Sequence, residues 1–115
     1  MEALYEQTGR VYAWLDPAGN HVISLAGEHL AFIHGDSVYT WDGSHIGWWC
    51  DDHIRDQSGE VVVFLSNASG LGVTVPNSGT KPIAPTKAMV PKHPMKLTKP
   101  VQPTQQTTWC AEMPF

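Results

Sequence analysis

Apolar and polar residues alternate over the first 68 positions in four units of similar pattern. Each unit has a short apolar run, a polar stretch that ends in glycine, and a second apolar run. Two such runs around a short turn predict a β-hairpin, since a period of two is typical of strands. The four units are ALYEQTGRVYAWLD (3–16), HVISLAGEHLAFIHGD (21–36), SVYTWDGSHIGWWCDD (37–52) and HIRDQSGEVVVFLSNA (53–68).

The glycine of each unit predicts the type of turn. The four residues that end at each glycine begin with a polar residue able to accept a backbone N–H, and glycine takes a positive φ without steric cost. This combination is typical of a type I turn followed by a glycine bulge. We therefore expect about eight short antiparallel strands, with turns closed by Gly9, Gly27, Gly43 and Gly59.

Positions counted from these glycines indicate which strand faces are buried. Three and five residues after each glycine stand apolar side chains, so this face is predicted to contact a core. The aromatic member of each unit, five residues on, is one of Trp14, Phe32, Trp48 and Phe64. On the opposite face, small residues recur four positions on, which predicts that strands crowd one another there, near a pseudo-fourfold axis. These small residues are Ala13, Ala31, Gly47 and Val63.

The predicted fold is therefore all-β, with four pseudo-repeated antiparallel β-hairpins around a pseudo-fourfold axis and an extended Pro/Lys-rich tail. We divide the chain into a hairpin domain, 1–70, and a tail, 71–115. Eight of the nine prolines lie after Val75, where neither helix nor central strand can persist. Apolar residues recur between them, so we favour a tail that runs over a surface with Trp109 as an anchor. The alternative is a disordered linker.

Charge divides along the same boundary. Residues 1–70 carry ten acidic residues against two arginines, a net charge of −8, and residues 71–115 carry five lysines against one glutamate, a net charge of +4. An acidic body is not expected to bind nucleic acid, whereas a basic tail is expected to lie along its own body or along a neighbouring copy. The expected partner is therefore a protein, or a second copy of the chain in a homo-oligomer.

The N-terminal sequence MEALYEQTG has neither the basic nor the apolar region of a secretory signal, and no window is apolar enough to cross a membrane. We therefore expect a cytoplasmic protein with no membrane partner. Cys50 and Cys110 lack the spacing of a zinc or redox motif, so free thiols are expected. The alternative is a disulfide that ties the tail to the body, which requires an oxidising compartment.

The chain resembles the bacterial 4-fold beta flower family in ALYEQTGRVYAWLD, GDSVYTWDGSHIGWW and IRDQSGEVVVF, which cover most of residues 3–65. The resemblance rests on Gly47-Trp48, then Ile54-Arg55-Asp56, then the valine run before Phe64. It implies a four-hairpin fold followed by a lysine- and proline-rich tail, and it implies no activity. His53 stands where the resemblance leads us to expect a larger aromatic residue, and Cys50 where it leads us to expect an acidic or small polar one.

Histidines are the main candidates for metal ligands. The repeat makes His21 equivalent to His53, and His29 equivalent to His45. Pseudosymmetry that brought such equivalents together would create a site for zinc, copper or nickel, because neutral imidazole is a good ligand for these ions. The competing interpretation is that these side chains form hydrogen bonds with cross-strand neighbours or water. We expect no cofactor.

The remaining candidates are binding residues rather than catalytic ones. Trp41 lies in a predicted turn, and an exposed tryptophan there, like Trp49 or Trp109, could contact the tail, a partner or a flat ligand. Arg55 is expected to form a cross-strand ion pair. Adjacent Asp51 and Asp52 are better suited to a turn than to acid–base catalysis. We identify no catalytic residue.

These observations favour a non-enzymatic interaction or structural module. Its body would be recognised by a partner, or would bind its own tail and thereby another subunit. The alternative is a domain that binds a metal or small ligand, with a hydrolytic activity that uses clustered histidines and aspartates.

Overall fold

The computed structural model describes residues 1–17, 20–69, 71, 105–106, 108–110 and 113–115. Within these ranges the chain forms eight β-strands and no helix, which confirms the predicted all-β class. In the part of the chain so described, no helix is long and apolar enough to span a membrane. The strands are β1 (Glu2–Tyr5), β2 (Val11–Asp16), β3 (His21–Ser24), β4 (His29–His34), β5 (Ser37–Tyr39), β6 (His45–Trp49), β7 (His53–Asp56) and β8 (Val61–Phe64).

The strands form one closed antiparallel barrel in which each strand pairs with its neighbours in sequence. Four of the connections are the predicted glycine turns. In each one the glycine N–H donates to the carbonyl three residues earlier, at 2.9–3.0 Å, and the glycine φ lies between 85° and 94°. The four predicted hairpins and their turn glycines are confirmed, because only this sign of φ lets the chain return into the second strand. Those glycines are Gly9, Gly27, Gly43 and Gly59.

The small residues four positions after each glycine lie at equivalent places in the four hairpins. Each pairs with an apolar residue on the first strand, and a register shift follows directly after that pair. All these side chains are fully buried, and Gly47 is buried as well. The equivalent pairs are Leu4–Ala13, Val22–Ala31, Val38–Gly47 and Ile54–Val63. Pseudo-fourfold symmetry is therefore expressed in the register as well as in the sequence.

Gly47 shows how closely the strands approach one another at this level. A Cβ atom at this position would lie 2.3 Å from the carbonyl oxygen of Arg55 on the neighbouring strand β7. Backbone atoms cannot yield to such a contact without moving the strand. The predicted crowding is thus confirmed at its most constrained position.

The aromatic residues five positions after each glycine are also buried, with at most 5% of each exposed. Each pairs with the residue at the same position on the first strand of its hairpin. The pairs are Trp14 with Ala3, Phe32 with His21, Trp48 with Ser37 and Phe64 with His53. Both faces of the strands are therefore covered. The residues three positions after the glycine are less buried than predicted in three units, because Tyr12, Leu30 and Ile46 pack only partly against the core.

One junction of the barrel differs from the rest. The first strand, β1, and the last strand, β8, share a single residue pair, Tyr5 with Phe64, whereas the other neighbours share three or four. We call this junction the seam. Leu71 and described residues from 106 onward, among them Trp109 and Phe115, contact the body. The predicted extended conformation of residues 72–104 falls outside the described residues, so the domain boundary at residue 70 stays a prediction.

Candidate functional site

The seam is completed by residues near the C-terminus, 105–106, 108–110 and 113–115, which we call the C-terminal segment. Val61 of β8 donates its N–H to Thr108 O at 3.1 Å, and its carbonyl accepts the N–H of Cys110 at 2.8 Å. This forms a parallel bridge between Val61 and Trp109. Gln106 N–H donates to Gly59 O at 3.0 Å. The segment thus pairs with the β8 backbone near Val61, where an exposed strand edge would otherwise be a site for aggregation.

Arg55 connects the seam to the C-terminal segment. Its side chain is buried, with 2% of the residue exposed, and its Nη1 donates to Gly59 O and Gln106 O, both at 2.7 Å. Its Nη2 donates to Leu71 O at 2.8 Å. Because a buried guanidinium must have its donors satisfied, these carbonyls are a condition for burying the charge. The predicted cross-strand ion pair is not among these contacts, which are all with neutral groups.

In the repeat, Arg55 occupies the position of Tyr5, Ile23 and Tyr39, because each of these pairs with the residue two positions after the glycine. The first three units therefore place an apolar or aromatic side chain at this position, and the fourth places a cation. The cation at this position is the feature of the sequence that distinguishes the fourth unit, which borders the seam, from the other three. Arg55 is among the binding residues predicted from the sequence, but the sequence does not indicate the carbonyls that it binds.

A series of hydrogen bonds continues from Arg55 through His53 and Asp52. Arg55 Nε donates to His53 Nε2 at 3.0 Å, and His53 Nδ1 lies 2.5 Å from Asp52 Oδ1. Asp52 Oδ2 in turn accepts the N–H of Ser69 at 3.2 Å. Because Nε2 accepts from Arg55, His53 is neutral and its proton lies on Nδ1, where it is donated to Asp52. Burial, reinforced by the charge of Arg55, holds the pKa of His53 below its ordinary value, against the opposing effect of Asp52.

Trp109 lies against an aromatic cluster at the seam. Its ring centroid is 5.7 Å from that of Phe64, and Phe64 stacks on Tyr5 at 5.8 Å. Trp109 is half-buried, and Ala68 and Leu71 belong to the same apolar cluster. A tryptophan here buries a large apolar area on residues of both the first and the last strand. Trp109 therefore lies where a side chain that anchors the tail to the body is expected to lie.

The end of the C-terminal segment contacts the first hairpin. The hydroxyl of Tyr12 donates to Phe115 O at 2.6 Å, and the two rings meet edge to face at 6.0 Å. Burial and the charge of Glu6 raise the pKa of Tyr12. Thr108 donates its hydroxyl to a carboxylate oxygen of Glu60 at 2.6 Å. The segment therefore contacts the fourth unit at one end and the first unit at the other.

The predicted histidines have different neighbours in different hairpins. His21 Nδ1 lies 3.1 Å from His29 Nδ1, within one hairpin, whereas its equivalent His53 contacts Asp52 and Arg55. His45 Nδ1 lies 3.0 Å from Gln57 Oε1, and Gln57 Nε2 donates to His45 O. Across the described residues, no group of three or more His, Cys, Asp or Glu side chains is placed to hold a metal ion. A metal site made from equivalent histidines stays a prediction without a supporting contact.

The other predicted tryptophans, Trp41 and Trp49, pack against other parts of the barrel. Trp41 is half-buried in the third turn, with its ring 5.2 Å from His21 and 4.9 Å from Phe32. Trp49 is half-buried at the end of β6 and packs against the core. Cys50 and Cys110 are both thiols and partly buried, and burial raises the pKa of Cys50. Only Arg55 and Trp109, of the four predicted binding residues, are brought together at the seam.

The family comparison covers almost the whole chain. The family model described as "4-fold beta flower protein" matches residues 2–114. Neither the comparison with curated proteins nor the comparison with solved structures gives a match. The match takes in the four hairpins, the seam and all of the C-terminal segment except Phe115, and the chain belongs to the 4-fold beta flower protein family.

Proposed function

We propose that this protein is a non-enzymatic interaction module whose seam binds an extended peptide segment. In the free protein its own C-terminal segment fills that place. The observation that carries the proposal is Arg55, which is buried and donates to two carbonyls that lie beyond the last strand, those of Leu71 and Gln106. A barrel strand that served packing alone would have an apolar or aromatic residue there, as the other three hairpins do.

The chemistry of the seam defines the segment that it would accept. Val61 offers one N–H and one carbonyl to an added strand, which is the mode of β-strand addition. Phe64 and Tyr5 offer an aromatic surface for a large ring such as tryptophan. Arg55 requires a backbone carbonyl three residues before that ring, the place that Gln106 fills relative to Trp109. The preferred ligand is therefore an extended segment with an aromatic anchor, and no charge on it is required.

A second copy of the chain is the first partner to consider. Residues 72–104 connect Leu71 to the C-terminal segment, and a chain of that length reaches at most ~110 Å at about 3.3 Å per residue. That reach permits exchange of C-terminal segments between two copies. The basic charge of residues 71–115 and the acidic charge of residues 1–70 favour docking in either arrangement. Cys50 and Cys110 are both thiols, which supports a reducing compartment such as the cytoplasm.

The proposal is tested with a labelled peptide of residues 105–115 and full-length protein. Trp109→Ala weakens the hold of the resident segment, so the peptide, which retains its tryptophan, is expected to bind this variant. Wild-type protein is expected to bind the peptide at least about tenfold more weakly, because the tethered segment competes at a high effective concentration. Fluorescence anisotropy measures both affinities.

Trp41→Ala is the matched control, since Trp41 is also half-buried but packs on the second hairpin. This variant should behave as wild type toward the peptide. Failure of the folded Trp109→Ala variant to bind the peptide would refute the proposal. Light scattering of wild-type protein over a range of concentrations then separates docking within one chain, which gives a monomer, from exchange between copies, which gives a dimer.

A further inference from the structure

The imidazoles of His21 and His29 lie with their Nδ1 atoms facing one another on neighbouring strands. The two nitrogens are 3.1 Å apart and the rings are nearly perpendicular, at 82°. At this distance one Nδ1 carries a proton and donates it to the other, since two N–H groups could not face each other so closely. The pair is therefore held together by a single shared proton.

The same separation suits two ligands of one metal ion. Imidazole nitrogens bind Zn²⁺ at about 2.0–2.1 Å. Two such nitrogens lie about 2.9 Å apart when they are adjacent corners of a square-planar site and about 3.4 Å apart in a tetrahedral one. The observed 3.1 Å falls between these values. A metal could replace the shared proton at nearly the same distance between the nitrogens, provided that each ring turns so that its Nδ1 lone pair points at the ion.

Neighbouring side chains hold the two rings in place. The ring of Trp41 meets His21 at 5.2 Å and His29 at 6.0 Å, both edge to face, and it also packs on Phe32. His21 is buried and His29 is half-buried, so the pair is approached from the side of His29. A pre-positioned pair loses little freedom on binding a metal, which favours chelation over capture by a single surface histidine.

A carboxylate is placed to support His21. Asp16 of β2 is the register partner of His21 and is itself buried, with 6% exposed. Residues that face each other across an antiparallel pair have side chains on the same face, within reach of one another. Metal-binding histidines usually donate their second ring N–H to such an acceptor, which fixes the tautomer that leaves the other nitrogen free to bind.

We propose that His21 and His29 chelate a divalent first-row transition metal through their Nδ1 atoms, with Cu²⁺ bound most tightly. The preference for Cu²⁺ follows from the general order of affinities at nitrogen sites. The imidazole that donates in the metal-free pair moves its proton from Nδ1 to Nε2, so two neutral rings bind the metal without releasing a proton. Water or a small ligand from solution fills the remaining coordination positions. This inference is independent of the function proposed for the seam.

The test is a Cu²⁺ titration of full-length protein, followed by electron paramagnetic resonance. Wild-type protein should bind one Cu²⁺ with hyperfine splitting from two imidazole nitrogens. His29→Gln should lower the affinity at least about tenfold, because loss of even an outer-shell partner commonly costs 10–100-fold. The matched control is His34→Gln, since His34 is an exposed histidine of the same strand and should not affect binding.

A second measurement does not depend on any variant. Zn²⁺ added to ¹⁵N-labelled wild-type protein should shift the Nδ1 resonances of both His21 and His29, and leave those of His34 unchanged. The proposal is overturned if His29→Gln binds Cu²⁺ as tightly as wild type, or if Zn²⁺ leaves both Nδ1 resonances in place.

Discussion

Arg55 links the seam to Leu71 and to the C-terminal segment. A charge buried at 2% exposure is costly unless every donor is used, and its acceptors here are three backbone carbonyls and the Nε2 of His53. Two of those carbonyls come from residues beyond the hairpin domain. The geometry requires a planar group with several divergent donors, which is a property of guanidinium and not of ammonium.

Arg55→Lys is therefore expected to destabilise the protein. The ammonium group keeps the charge but cannot donate to four acceptors in these directions, so the free energy of unfolding should fall by about 1–3 kcal/mol. Urea denaturation measures the loss. The control is Arg10→Lys, because Arg10 is exposed and its ion pair with Glu6 at 3.5 Å is a surface contact worth under about 1 kcal/mol. Equal effects of the two substitutions would contradict the role given to Arg55.

His53 makes the stability of the protein depend on pH. Burial lowers its pKa below the ordinary value of 6.5, so the folded protein resists a proton that the unfolded chain accepts. Stability is thus complete above pH 6.5 and falls as the pH falls from there through the folded pKa. His53→Gln retains a donor for Asp52 and an acceptor for Arg55, and it does not titrate.

Urea midpoints at pH 7.5 and pH 5.5 measure this effect. Wild-type protein should lose more stability between the two values than the His53→Gln variant, because the two proteins differ only at this imidazole. An equal loss in both would show that the neutral His53 between Asp52 and Arg55 does not contribute.

The glycine turns of the hairpins reverse the chain, and some of them also contribute to packing between hairpins. The residue two positions before each glycine packs on the preceding hairpin in the third and fourth units. Trp41 covers His21, His29 and Phe32 in this way, and Gln57 binds His45. In the second unit the same position is Leu25, which is 49% exposed. Equivalent turns therefore differ in what they stabilise.

Truncation of Trp41 and truncation of Leu25 are expected to lower the free energy of unfolding by different amounts. Trp41→Ala should lower the free energy of unfolding by about 1–3 kcal/mol, since it removes a half-buried aromatic side chain from three ring contacts. Leu25→Ala, at the equivalent position, should change it by no more than about 0.5 kcal/mol. Thermal or urea denaturation distinguishes them, and a cost for Leu25→Ala as large as that for Trp41→Ala would be inconsistent with this interpretation of the turns.

The hairpins could be predicted from the sequence because their signals are local. Glycines such as Gly43 require a positive φ at a fixed place, and small residues such as Gly47 mark where strands approach closely. The site could be predicted only in part. The repeat related His21 to His53, yet each contacts different neighbours, because the contacts between units depend on side chains that are not repeated. Two of the three carbonyls that bind Arg55 belong to Leu71 and Gln106, 16 and 51 residues away in sequence, and no periodicity indicates them.

The whole molecule is a ring of four hairpins with one incomplete junction. Seven pairs of neighbouring strands share an extended register, and the eighth, the seam, shares only Tyr5 with Phe64. The C-terminal segment supplies backbone pairing to Val61, an aromatic ring to Phe64 and a hydrogen bond to Tyr12. The same contacts that complete the barrel therefore define a place where another extended segment could bind.

Amide hydrogen exchange of Val61 and Cys110 tests whether the C-terminal segment docks on β8, because these two N–H groups form the bridge between them. In wild-type protein both amides should be protected. In Trp109→Ala both should exchange at least about tenfold faster, while the amide of Ile33, which bonds to Asn20 in another part of the barrel, keeps its protection. Rapid exchange of Val61 and Cys110 in wild-type protein would contradict the docking of the C-terminal segment at the seam. Protection that survives the loss of Trp109 would contradict the role of this residue as the anchor.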